Sequence, residues 1–185
     1  MSRFASWLPE MARKQPERRI ALSYQVPAGA PPPVDGERRI AEAFRASSLV
    51  AVREGAASWS VTLPWRTRVF GLVPRDVDEH VTLAIVQHPD LWEVALSCQP
   101  LETHNAHASG LAAVLFVAAS VWIATGFAAG LGPALATVLA GALVVEVTRQ
   151  WALSALENRL RRLLGDVGSA LWPGRPAQIV ILSQP

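Results

Sequence analysis

Hydrophobic and polar positions obey three different rules along this chain. Between residues 20 and 98 they tend to alternate. Over residues 109–147 polarity almost disappears, and over residues 148–171 apolar side chains return at helical spacing. Alternation marks half-buried strands, and a 3.6-residue period marks an amphipathic helix.

In the alternating part, residues 20–26, 49–53, 58–63, 67–73, 81–87 and 92–98 are candidate strands. In the last of these, Trp92, Val94, Leu96 and Cys98 share one face while Glu93, Ala95 and Ser97 share the other. His88-Pro89-Asp90-Leu91 reads as the turn before it. Its first three residues, His88-Pro89-Asp90, are similar to the loop tripeptide of J-domain co-chaperones, but the family sets it between two helices and here it joins two strands. One helix is expected at residues 37–46, capped by Asp35, with Ile40 and Phe44 on one face. Residues 26–36 hold three consecutive prolines and form an extended loop. The sum is an α+β fold, a small antiparallel sheet of about five strands with one packed helix, over residues 20–107.

Residues 109–127 carry no charge. A helix needs about 20 mostly apolar residues to cross a bilayer. A second apolar stretch, residues 131–147, is uncharged until Glu146, and Pro133 falls in its first turn, where a missing N–H costs little. Two adjacent helices with no polar face are unlike the amphipathic helices of a soluble core. Residues 108–147 therefore predict a transmembrane helical hairpin. Its small residues, among them Ala113, Ala118 and Gly141, suit close packing within the hairpin or between copies.

Behind the hairpin, residues 148–172 read as an amphipathic helix with Leu153, Leu156, Leu160 and Leu164 on its stripe. Docking on the sheet is the expected use of that stripe. Arg149, Trp151, Arg161 and Arg162 are candidate membrane-interface residues. In the tail, residues 173–185, the β-branched run at 178–182 would be an aggregation hazard unpaired and is expected to return to a sheet edge. Residues 1–19 mix aromatic and basic side chains, as a headgroup-level segment would, and contain no apolar run of signal-peptide length.

Basic residues follow the second apolar helix and are missing from the loop between the two, so both termini are expected to be cytoplasmic. Lys14 is the single lysine among 17 basic residues, which with abundant Ala fits a GC-rich bacterial genome and so an inner membrane. Net charge is only +2, which gives no reason to expect a nucleic-acid partner. A lone Cys98 excludes an intramolecular disulfide.

Candidate chemistry is sparse. His104 and His107, at i and i+3 just before the first apolar helix, could hold a metal, with Glu102 or Asn105 nearby. Residues 75–80 (Arg-Asp-Val-Asp-Glu-His) gather three carboxylates and a His, and read as a solvated turn between strands. Glu146 is an intramembrane ionisable candidate, with Arg149 at pairing distance on the same helix. No phosphate loop, dinucleotide fingerprint, nucleophile elbow or zinc-protease motif occurs, and no cofactor is implied. These observations point to a non-catalytic, membrane-anchored binding or scaffold subunit, with the lipid bilayer and a protein partner or further copies as its contacts. The alternatives are an oligomeric channel-forming or membrane-perturbing effector, and a small metal or haem protein using His104 and His107.

Overall fold

The computed structural model describes residues 20–27, 35–55, 57–70, 72–125, 132–175 and 178–181. The N-terminal segment 1–19, most of the proline-rich loop and the linker between the apolar helices lie outside the described residues. In chain order the elements are β1 (Ile20–Pro27), α1 (Gly36–Ala46), β2 (Ala51–Arg53), β3 (Ser58–Val69), β4 (Val73–Gln87), β5 (Leu91–Cys98), α2 (Leu101–Thr125), α3 (Gly132–Leu171) and β6 (Gln178–Ile181). The six strands form one antiparallel sheet in the order β2-β3-β4-β5-β1-β6. The sixth is the C-terminal run, which pairs Tyr24 with Ile179 and Gln25 with Gln178 at the β1 edge.

Alternation puts Leu22, Val26, Val61, Leu63, Val81, Leu83, Val94 and Leu96 on one face of the sheet. Their registers agree: Leu22 pairs with Leu96, and Leu96 with Leu83. Ile40 and Phe44 of α1 and Leu156, Leu160, Leu164 and Val167 of α3 close over that face in a single core. The fit is tightest at Gly168, where an added Cβ would lie 2.5 Å from the Tyr24 ring. Trp172, just past the helix, stacks at a tilt on Trp92 with centroids 6.2 Å apart.

Three expectations need correction. The candidate strand at 58–63 runs on unbroken through Pro64 to Val69 as the 12-residue β3, and the candidate at 67–73 is not a strand of its own: it holds the end of β3, the turn and the first residue of β4. Proline is tolerated because β2 pairs only with Trp59, Ser60 and Val61, so beyond them β3 is an edge with no ladder bond to lose on that side. Residues 75–80 are not a turn either. They lie inside β4, a strand of 15 residues whose partner register runs from Val69–Val73 to Ser58–Ala84. Asp35 does precede α1, but it has left-handed φ/ψ (54°, 35°) and its side chain makes no capping bond.

The largest difference concerns the boundary expected at residue 148. α3 is one helix of 40 residues, and it joins the second apolar stretch to the amphipathic stripe without a break. Nothing in Val147-Thr148-Arg149-Gln150 could stop it, since Gly and Pro are both missing there. Its N-terminal half lies against α2, where Gly141 leaves room for Val114. Its C-terminal half supplies the roof of the sheet.

Candidate functional site

β3 and β4 continue past the main sheet as a two-stranded ribbon, and the first turns of α2 lie along its inner face. The helix offers Thr103, Ala106, His107 and Gly110 at helical spacing, all buried. Facing them in order along the ribbon are Glu79, then Val77 and Trp65, then Arg75, then Val69 and Phe70.

Glu79 is 1% exposed. Its Oε1 accepts hydrogen bonds from the Thr103 backbone N–H at 2.7 Å and from the Thr103 hydroxyl at 2.5 Å. Thr103 is in the first turn of α2, where backbone N–H groups have no partner inside the helix. A strand carboxylate therefore caps a helix, and the positive end of the helix dipole favours its charge. The neighbouring acids behave differently: Asp76 is exposed and pairs with Arg66 at 2.7 Å, and Asp78 and His80 face outward. The Arg66 guanidinium holds the Asp76 carboxyl below the usual carboxylate range.

His107 is 1% exposed, and its Nδ1 lies 2.9 Å from the Thr103 carbonyl oxygen. A carbonyl only accepts, so Nδ1 carries the proton and donates. Its other ring nitrogen, Nε2, is buried with no hydrogen-bond partner. Thr67 Oγ1, Trp65 Nε1 and His104 Nδ1 are also buried without a partner. His104 is half-buried, within electrostatic reach of Glu79, His107, Glu146 and Arg149. The structure thus sets His104 within electrostatic reach of both His107 and Glu79, a carboxylate whose segment reads in sequence as a turn. A signal for Glu79 existed, because Val77, Glu79, Val81 and Leu83 fall on one face at period two.

An imidazole whose Nδ1–H is anchored on a carbonyl, with Nε2 free, can accept a proton or donate to a metal. Among the described residues, no group of three or more His, Cys, Asp or Glu side chains is placed to hold an ion. Glu102 and Asn105 are exposed, away from this cluster. Cys98 is also buried; burial and the nearby Glu79 charge push its thiol up to about 12, so it is no nucleophile at neutral pH.

The remaining candidates lie along α3. Glu146 binds Arg149 at 2.6 Å and Gln150 at 2.7 Å. Trp151 is 71% exposed. Arg161 pairs with Glu157 at 2.6 Å and Arg162 is exposed, both on the half of α3 that covers the sheet.

Above this junction the surface changes character. α2 and α3 are both long and apolar enough to cross a membrane, yet only 28% of the apolar window in α2 and 17% of that in α3 is buried. Leu115, Phe116 and Ile123 on α2 and Leu135, Leu139 and Leu143 on α3 are exposed. No protein-family model matches the chain, and no curated protein or solved structure matches it.

Proposed function

We propose that the protein is a membrane-anchored binding or scaffold subunit of a bacterial inner membrane. In this reading α2 and the first half of α3 are a transmembrane hairpin, and the sheet domain sits at the cytoplasmic face with both termini. The observation that carries it is the exposed apolar surface of the two helices. A core helix of a soluble protein passes the same length test but is mostly buried; here most of both windows is bare. Patches of that extent on soluble monomers are rare. Trp151 with Arg149 follows one turn past Val147, the last large exposed aliphatic of α3, as an interfacial anchor would. The sheet face turned away from α3 carries Thr62, Arg66, Asp76, Asp78 and Thr82 to solvent and is the surface offered to a partner.

The test is the mass and composition of the full chain purified from alkali-washed membranes into nanodiscs. One partner protein at fixed ratio supports the scaffold reading. Release from the membrane by alkali sinks the anchor. A defined homo-oligomer that makes liposomes leak dye replaces the scaffold with the channel-forming effector.

A second reading rests on the unpartnered Nε2 of His107, which is prepared as a ligand. It makes the protein a metal or haem carrier using His104 and His107. Stoichiometric metal, or a visible absorption band that His107→Ala removes, would establish it; metal-free, colourless protein would dispose of it.

A further inference from the structure

We infer that the tip of the β3–β4 ribbon is a second membrane contact, an apolar turn that dips into the lipid headgroup layer between two arginines that bind anionic headgroups. The inference rests on the membrane reading above and extends it to a part of the sheet domain.

Residues 68–75 read Arg-Val-Phe-Gly-Leu-Val-Pro-Arg. The turn is apolar, and its nearest acid, Asp76, is already engaged by Arg66. Hairpin turns in water are normally built from Gly, Asn, Asp and Ser. Here Leu72 is 82% exposed and Val73 57% exposed, while Phe70 packs back on the protein. At those exposures the two aliphatic side chains add little to the core.

Position supplies the occupant. The tip lies against Gly110, where an added Cβ would fall 2.7 Å from Val69 Cγ1 and 3.5 Å from the Phe70 ring. Gly110 is also where the bare apolar surface of α2 begins, with Leu111, Leu115 and Phe116 exposed just beyond it. Leu72 and Val73, next to Phe70 in the turn and across the ribbon from Val69, therefore belong to the part of the ribbon that meets α2 where that surface begins. Ribbon and helix are fastened at this level by Arg75 Nη1, which donates to Ser109 Oγ at 2.9 Å.

Charge fits the same occupant. Arg68 and Arg75 bracket the turn, and neither has a carboxylate partner among the described residues. A guanidinium at headgroup height can bind a phosphate with two donors. Each surface-level Arg should favour anionic over neutral lipid by about five-fold. An apolar insert buried about 5–10 Å into the boundary, flanked by basic residues, is the usual form of an interfacial contact.

The experiment uses the full chain in a Cys98→Ala background, with an environment-sensitive fluorophore on Leu72→Cys or, separately, on Phe116→Cys. Nanodiscs contain phosphatidylcholine with or without phosphatidylglycerol, and lipid-borne quenchers sit near the headgroup or deep in the chains. The expected result is a blue-shifted label at 72, quenched by the headgroup-level probe and more strongly with phosphatidylglycerol. The label at 116 should respond to the deep probe. Arg68→Gln should remove much of the phosphatidylglycerol effect at 72 and leave 116 unchanged. A water-like label at 72 with 116 quenched overturns this inference and leaves the anchor standing. Water-like emission at both positions overturns the anchor itself. Quenching at 72 that ignores phosphatidylglycerol overturns the headgroup role of the two arginines.

Discussion

The carboxylate of Glu79 accepts both the backbone N–H and the hydroxyl of Thr103, so a buried strand acid fixes the first turn of the first apolar helix. Truncating the acid strands two buried donors at once. Glu79→Ala should cost about 1–3 kcal/mol. Thr103→Val keeps the backbone bond and should cost less, and the double variant should fall short of the sum. Thermal unfolding of the sheet domain, followed by Trp fluorescence, reads all three; additive losses would show that the two residues act separately.

A pair of glycines on α3 offers opposite outcomes. Gly168→Ala would drive a methyl into the Tyr24 ring and should destabilise by about 1–3 kcal/mol. Gly165→Ala meets nothing within 4 Å and should stabilise by up to about 1 kcal/mol through helix propensity. If both substitutions moved stability the same way, the close packing of α3 on β1 would be wrong.

Two leucines separate the halves of the same helix. Leu160 is fully buried in the core of the sheet, so Leu160→Ala should cost about 2–5 kcal/mol. Leu139 is exposed on the apolar half, and Leu139→Ala should leave the unfolding of the sheet domain unchanged. Proteolysis of nanodisc-held protein distinguishes them: the first variant should lose its sheet domain faster while its apolar helices stay protected.

Cys98 supplies a pH dependence. Its thiol is raised in the fold, so the unfolded chain loses this proton first as pH climbs. The group is neutral in both states below about pH 8, where it does not affect stability. Above that, stability falls progressively toward the folded value of about 12. Native protein should resist maleimide at pH 8 and react once denatured; rapid native labelling would contradict the buried position.

Much of this fold could be read from spacing. Trp92 to Cys98 alternates cleanly and is β5; Ile40 and Phe44 share a face and are the buried side of α1. Leu156, Leu160 and Leu164 recur at helical spacing and do reach the core. What escaped was length. The alternation lapses between residues 63 and 67, and a local pattern cannot show that β3 tolerates Pro64 because it has no neighbour on one side beyond Val61. The acids at 76, 78 and 79 looked like a turn because charge density outweighed the period-two signal of Val77, Glu79 and Val81. The site itself was half legible. His104 and His107 stood out by residue type, but the partner of Glu79 lies 24 residues away, and no local pattern encodes such a pairing.

The unbroken run of α3 has a mechanical consequence. At 1.5 Å per residue, its 40 residues make a rod of about 60 Å. If half of that rod stands in lipid, the other half is the ridge-beam of the sheet domain, with no swivel between them. In that setting the domain would not wander at the end of a tether. It would keep one height and one heading relative to the bilayer, and any lean of the rod in the lipid would swing the whole sheet through the same angle. A partner would then meet a fixed bracket, and its search would reduce to two dimensions.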